Sequence, residues 1–154
     1  MRRSERIVRI FQAKRDMTDV LTPMQRARCM ASIRSKGTKP EIALQGILRE
    51  LGIRYRKQVR TLPGKPDFTV GRLKLAIFVH GCFWHRHNCR LGRAMPSTNA
   101  AFWANKFVAN QRRDRAARNT LKLLGWRVIT VWECQTKPKR IAALKVRIRQ
   151  QLRV

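Results

Sequence analysis

Between Ile77 and Cys89 the chain reads Ile-Phe-Val-His-Gly-Cys-Phe-Trp-His-Arg-His-Asn-Cys, which gathers all three histidines and two of the four cysteines. Cys82, His87 and Cys89 are spaced Cys-x4-His-x-Cys, and Cys134 stands far downstream. Thiolates and imidazole are the ligands zinc prefers, and a complete Cys3His set leaves no open coordination position, as structural zinc requires. The alternative is a set of incidental buried cysteines, and Cys29 is best read as a small core residue.

His80 and His85 fall outside that set. An imidazole takes or gives a proton near neutral pH, and either side chain could instead contact phosphate. Acids are scarce, so the few present are informative. Asp67 follows the Pro63-Gly64-Lys65-Pro66 turn, within reach of the Val79-His80 stretch. A carboxylate beside a backbone carbonyl suits Mg2+; an ordinary turn residue is the competing reading. Asn110 and Asp114 interrupt an apolar stripe formed by Trp103, Phe107, Ala117, Leu121 and Leu124. A carboxylate on such a face needs a partner, either a histidine N–H or one of many arginines. Phe83 and Trp84 read as core residues or as wedges that enter a base stack.

These side chains need elements to hold them. Thr22-Pro23 opens a helix carrying Met24 to Ile33. Thr38-Lys39-Pro40-Glu41 is a capping box for a second helix, with Leu44, Ile47, Leu48 and Leu51 as its apolar stripe and Gly52 at its close. Ile53–Val59 alternates as a half-exposed strand does. Asp67–Val70 and Leu73–Val79 form a hairpin about a two-residue Gly71-Arg72 loop. A long helix follows from about Asn99 to Leu124, then a fourth strand, Arg127–Trp132. The last helix, after Pro138, carries Ile141, Leu144, Ile148 and Leu152 on one side. The order α-β-β-β-α-β-α, with a right-handed parallel crossover between strands three and four, gives an α/β fold: a small mixed sheet flanked by helices. Parallel pairing would bring Cys134 to the edge that carries Cys82.

Thirty-six Lys and Arg against 8 Asp and Glu give a net charge of +28, so a polyanionic partner is expected. A hydrophobic content of 44% excludes a disordered tail. No apolar run is long enough to span a bilayer. The cysteines, without a secretory signal pattern, point to a reducing compartment rather than to disulfides. Residues 1–16 read as a basic arm and 17–154 as one domain. Arg112, Arg113, Arg115, Arg118 and Lys122 form a solvated face suited to phosphates.

Together, Pro63 to Phe68, Phe78 to His85, His87 with Cys89, Asn110 to Asp114, Gly125 to Val128 and Trp132 to Cys134 resemble the very short patch repair (Vsr) endonucleases. The resemblance runs from about Thr22 to Gln135. It implies a restriction-endonuclease-like fold and Mg2+-dependent nicking of duplex DNA beside the thymine of a T:G mismatch, left by deamination of 5-methylcytosine. It implies that Asp67 and the Val79 carbonyl hold Mg2+, that His85 is the general base steadied by Asp114, and that His80 contacts the scissile phosphate. Glu41 would contribute through outer-sphere contacts. Phe83, Trp84 and Met30 would intercalate, and Cys82, His87, Cys89 and Cys134 would hold Zn2+. A monomer in the bacterial cytoplasm, at the nucleoid, beside mismatch repair proteins and a companion cytosine-5 methyltransferase, is the implied setting.

Two departures stand out. Some members carry threonine where this chain has Val79. Nucleases of this fold usually place a second acid and a lysine where Phe78-Val79-His80 stands here, so catalysis must lean on histidine. The competing functions are a restriction-type nuclease cutting matched DNA and a non-catalytic, zinc-stabilised nucleic-acid-binding protein.

Overall fold

The computed structural model describes residues 36–153 together with Thr22, Met24, Gln25 and Arg28. At the expected first helix opening, Thr22 N–H donates to Gln25 Oε1 (2.8 Å) and Gln25 N–H donates to Thr22 Oγ1 (3.2 Å). The rest of that helix, including Cys29 and Met30, and the basic arm 1–16 lie outside the described residues.

Helix α1 (Lys39–Glu50) begins at the capping box expected of Thr38 and Glu41. Leu44, Ile47 and Leu48 are buried on its inner face. Strand β1 shrinks from the expected seven residues to Arg56–Lys57, because Gln58 takes a left-handed conformation (φ 49) that ends the pairing. Gln58 N–H then donates to the carbonyl of Asp67 (3.0 Å) and so anchors the next strand at its start. Strands β2 (Phe68–Val70) and β3 (Leu75–His80) pair antiparallel. Their connection is a four-residue one, not the two-residue loop expected: Gly71–Leu73 form a 3-10 turn and Lys74 is left-handed. Leu73 leaves the strand to pack against the core.

After β3 the chain makes a knot of turns, a short helix α2 (Arg90–Arg93), and then the long helix α3 (Ala100–Leu123). Strand β4 (Arg127–Trp132) returns parallel to β3, with His80 opposite Trp132. A 3-10 turn, Glu133–Thr136, leads to helix α4 (Pro138–Leu152). The sheet order is β1-β2-β3-β4.

One face of the sheet is sealed by α1 and α4. Leu44, Leu48, Leu144, Ile148 and Leu152 meet Phe68, Val70, Leu75, Ile77, Ile129 and Val131 there, each fully buried side chain contributing about 1.5–3 kcal/mol. Alternation along β3 turns Ala76, Phe78 and His80 to the other face, which α3 covers with Trp103, Phe107, Asn110 and Leu121 buried. Leu124, expected on that stripe, lies past the helix end and is exposed.

The turn before Asp67 docks on α3 at one crowded point. Gly64 has φ +73, and a Cβ there would stand 2.6 Å from the Cβ of Ala117 and 3.2 Å from the Phe78 ring. Gly64→Ala should therefore cost roughly 2–5 kcal/mol, from left-handed backbone strain plus overpacking. In denaturant melts Gly64→Ala should cost less in an Ala117→Gly background than in the wild type, because that background lacks the 2.6 Å Cβ contact while the backbone strain remains.

Candidate active site

The C-terminal end of β3, the start of β2, the N-terminus of α1 and the middle of α3 surround a cleft of about 1320 Å³. Asp67, Val79, His80, His85, Asp114 and Glu41, all singled out from sequence, line it together.

Asp67 is fixed from two sides. Its carbonyl accepts from Gln58, and its Oδ2 accepts from the Val79 N–H at 2.7 Å. Burial pushes its pKa up to about 6, against the lowering effect of the Val79 N–H and with help from the nearby charge of Glu41. A carboxyl so placed gains most from a cation. Glu41 is committed to the helix entry: Oε1 accepts from the Thr38 hydroxyl (2.8 Å) and Oε2 from the Gly37 N–H (3.0 Å). It is 5% exposed and acts on Asp67 as a nearby negative charge.

Opposite Asp67, His85 Nδ1 lies 2.5 Å from Asp114 Oδ2. Asp114 thus meets a histidine, not an arginine. Burial alone would raise the Asp114 pKa, but the hydrogen bond and charge of His85 bring it below the ordinary value. The His80 ring stacks on His85, with centroids 3.8 Å apart and planes 11° from parallel. His80 is buried, and desolvation, then the neighbouring His85, lower its pKa to about 4, so it is neutral at pH 7. Two stacked imidazoles with one carboxylate give a single proton-accepting unit: the Asp114 bond occupies Nδ1 of His85 and leaves its Nε2 for chemistry.

Phe83 and Trp84 join a cluster that the sequence reading only half identified. Phe83 packs edge-on against Trp84, Trp103 and Phe107 at 5.2–5.6 Å, and both Phe83 and Trp84 are half-buried. Phe102, 56% exposed, leans on Trp103. The Lys106 ammonium stands over both Trp84 and Phe102. Asn110 ties the cluster to the cleft, its Nδ2 donating to the Trp84 carbonyl (3.0 Å). The adjacent Phe102-Trp103 pair, one turn before Lys106, was the available signal in the sequence. Met30 lies outside the described residues.

The cysteines converge because of strand register. His80 pairs with Trp132, and Cys82 and Cys134 each follow two residues later. Cys134 N–H donates to Cys82 Sγ (3.3 Å). His87 Nδ1 lies 3.8 Å from Cys82 Sγ and 3.5 Å from Cys134 Sγ. All four ligand atoms, including Cys89 Sγ, are within 4.8 Å of one another. Tetrahedral zinc needs ligand separations of roughly 3.3–3.8 Å, so the set fits zinc with little adjustment. Burial pushes the Cys82 thiol up to about 12; a cation in place of its proton removes that cost. Gly92 allows the turn to close, since a Cβ there would sit 1.9 Å from the His87 carbonyl oxygen. Glu133, also missed from sequence, accepts from the Cys82 N–H (3.3 Å) and joins this knuckle to the cleft. Purified protein should carry close to one zinc per chain by elemental analysis. Cys134→Ser should lower both that stoichiometry and the melting temperature.

Comparison with known proteins agrees with this geometry. Residues 18–91 match the family model described as DNA mismatch endonuclease Vsr. A type II nicking enzyme, V.XorIIP of Xanthomonas oryzae pv. oryzae, is 41% identical over 88% of this chain and 98% of its own length. V.NmeDIP of Neisseria meningitidis serogroup C, another type II nicking enzyme, is 46% identical over 74% of this chain and 77% of its own. The DNA mismatch endonuclease Vsr of Escherichia coli K12 is 42% identical over 77% and 75%. With its four-stranded mixed sheet, its flanking helices and its Cys3His cluster, this chain belongs to the Vsr family of DNA endonucleases, of restriction-endonuclease-like fold.

Proposed function

We propose that the protein is a Mg2+-dependent endonuclease that nicks duplex DNA 5′ to the thymine of a T:G mismatch and so starts very short patch repair. The observation that carries this reading is the His85–Asp114 pair, stacked on His80 and set across one cleft from Asp67. A general base with its orienting carboxylate faces a carboxyl poised for a cation, beside an aromatic ridge.

Asp67 and the Val79 carbonyl would hold the ion. The Val79 N–H already bonds to Asp67, and in an extended strand a residue's N–H and C=O point to the same side. Valine in place of threonine leaves that backbone role intact, and its side chain packs against the core. Mg2+, when bound, neutralises phosphate charge and acidifies water. His85 then accepts the proton of the attacking water at Nε2, and Asp114 stabilises the resulting imidazolium. Neutral His80 donates a hydrogen bond to the scissile phosphate. Glu41 strengthens the demand for a cation at Asp67. Phe83 and Trp84, with Met30, wedge beside the mismatch, whose weaker stacking lowers the cost of entry. Lys and Arg supply the salt-dependent hold on the backbone, and nicking one strand needs only a monomer.

A second reading, nicking of matched DNA, uses the same centre; relatives named type II nicking enzymes support nicking, and their names specify no mismatch. Strand-resolved cleavage of a labelled duplex decides between them. With Mg2+, the thymine strand of the T:G duplex should be cut and the matched control left whole. Asp67→Asn should lower the rate by at least about 10³-fold, roughly 4 kcal/mol of barrier. Equal cutting of both duplexes would reject the repair reading. Phe83→Ala with Trp84→Ala should narrow the preference for the mismatch more than it weakens binding to matched DNA.

The pH dependence has a definite sign. Protons and Mg2+ compete for the same carboxylate, so the Mg2+ needed for half-maximal nicking should rise as pH falls below about 6, by about tenfold per unit. Magnesium titrations on either side of that pH measure it, and a flat requirement would exclude Asp67 as the ligand.

A further inference from the structure

Arg118 follows Asp114 by one turn of α3 and lines the same cleft as Asp67, His80 and His85. Its Nη2 donates to Oγ1 of Thr130 at 3.2 Å. Thr130 stands on β4 opposite Phe78, one side-chain step before the His80–Trp132 pair. A guanidinium offers five N–H donors. Among the described residues the others of Arg118 meet no acceptor, and no carboxylate lies within ion-pair distance of it.

Two nearby arginines are committed elsewhere. Arg113 lines the cleft too, but donates to Asn110 Oδ1, part of the brace beneath Trp84. Arg147 is spent on the Thr130 carbonyl and Gln135. Arg112, Arg115 and Lys122 are exposed, as Arg118 is, but they do not line the cleft. Arg118 alone among these is tethered at one end by a neutral hydroxyl, with its charge uncompensated and within electrostatic reach of His80. A planar fork of free N–H groups beside a phosphodiesterase centre matches the paired oxygens of a phosphate.

The geometry points to Arg118 as a substrate-binding catalytic residue that grips the non-bridging oxygens of the scissile phosphate, with Thr130 as the brace that aims it. Within the general basic face, this assigns one arginine to the reacting group and leaves the others to the flanking backbone. The assignment rests on the endonuclease reading above.

The test is single-turnover nicking, with equilibrium binding in EDTA, for wild type, Arg118→Met, Arg118→Lys and Thr130→Val. Two mismatched duplexes are used, one natural and one with a neutral methylphosphonate at the scissile position. Arg118→Met should lower kcat/KM by about tenfold or more, the size of one charge-assisted hydrogen bond. It should also reduce the salt slope of binding by about one. That binding loss should vanish on the methylphosphonate duplex. Arg118→Lys should restore the slope but not the rate, and Thr130→Val should cost less than Arg118→Met. An unchanged Arg118→Met, a binding loss that persists on the neutral duplex, or a Thr130→Val that reproduces the whole defect would overturn the assignment. Wild type that nicks no duplex would refute the endonuclease reading instead, while the binding comparison would still judge Arg118.

Discussion

The parallel pairing of β3 with β4 is the constraint on which the rest depends. It places His80 beside Trp132, so that the chain leaves both strands at the same edge with Cys82 and Cys134 in matching positions. The Trp132 ring is a spacer between the two centres, stacked on His87 at 4.4 Å and edge-on to His80 at 5.4 Å. A slip of one residue would turn every side chain of β4 to the opposite face and would separate the knuckle cysteines. Core burial therefore fixes the metal cluster through register, and a parallel pair needs the long α3 crossover to exist at all. That helix in turn brings Asp114.

Electrostatics divide the labour. A net charge of +28 draws a polyanion from a distance and holds it in a salt-dependent way, but a uniformly positive cleft would leave no place for a metal ion or a proton acceptor. Asp67, Asp114, Glu41 and Glu133, four of only eight acids, line this one cleft. The first three are each held by a different device: a strand amide, an imidazole and a helix cap. Stacking and burial keep His80 uncharged, so the two imidazoles do not repel as cations.

Much of this was legible in the sequence, and the limits have physical causes. The capping box at Thr38, the stripe of α1 and the apolar face of α4 are local patterns, readable from spacing alone. The ligand spacing around Cys82 was equally plain, and Cys134 could be added once strand order implied a parallel pair. Local strand edges were not legible: Gln58 and Lys74 adopt left-handed conformations that neither residue type announces, so β1 was read too long and the hairpin loop too short. Glu133, Arg118 and Thr130 were invisible as a group, because their meeting depends on tertiary packing between α3 and β4. Phe102 and Lys106 were passed over for a related reason, since they lie beside the buried stripe of α3 and not on it.

The Cys3His knuckle and His85 are one mechanical unit. His85 lies between Cys82 and His87 in sequence, and its N–H donates to the Gly81 carbonyl while that of His87 donates to Cys82. Most restriction-type centres position a second acid and a lysine directly on a strand, where pairing supplies the rigidity. Here Phe78-Val79-His80 stands in that place, and His85, the proposed base, comes from a turn five residues past the strand end. Such a turn would sample many conformations unless cross-linked. The Cys3His set, drawn from two strand ends, would supply that cross-link on binding a metal, and the Asp114–His85 bond adds to it from the helix side. On this reasoning a metal held by the Cys3His cluster would act on the proposed chemistry through the orientation of the His85 imidazole.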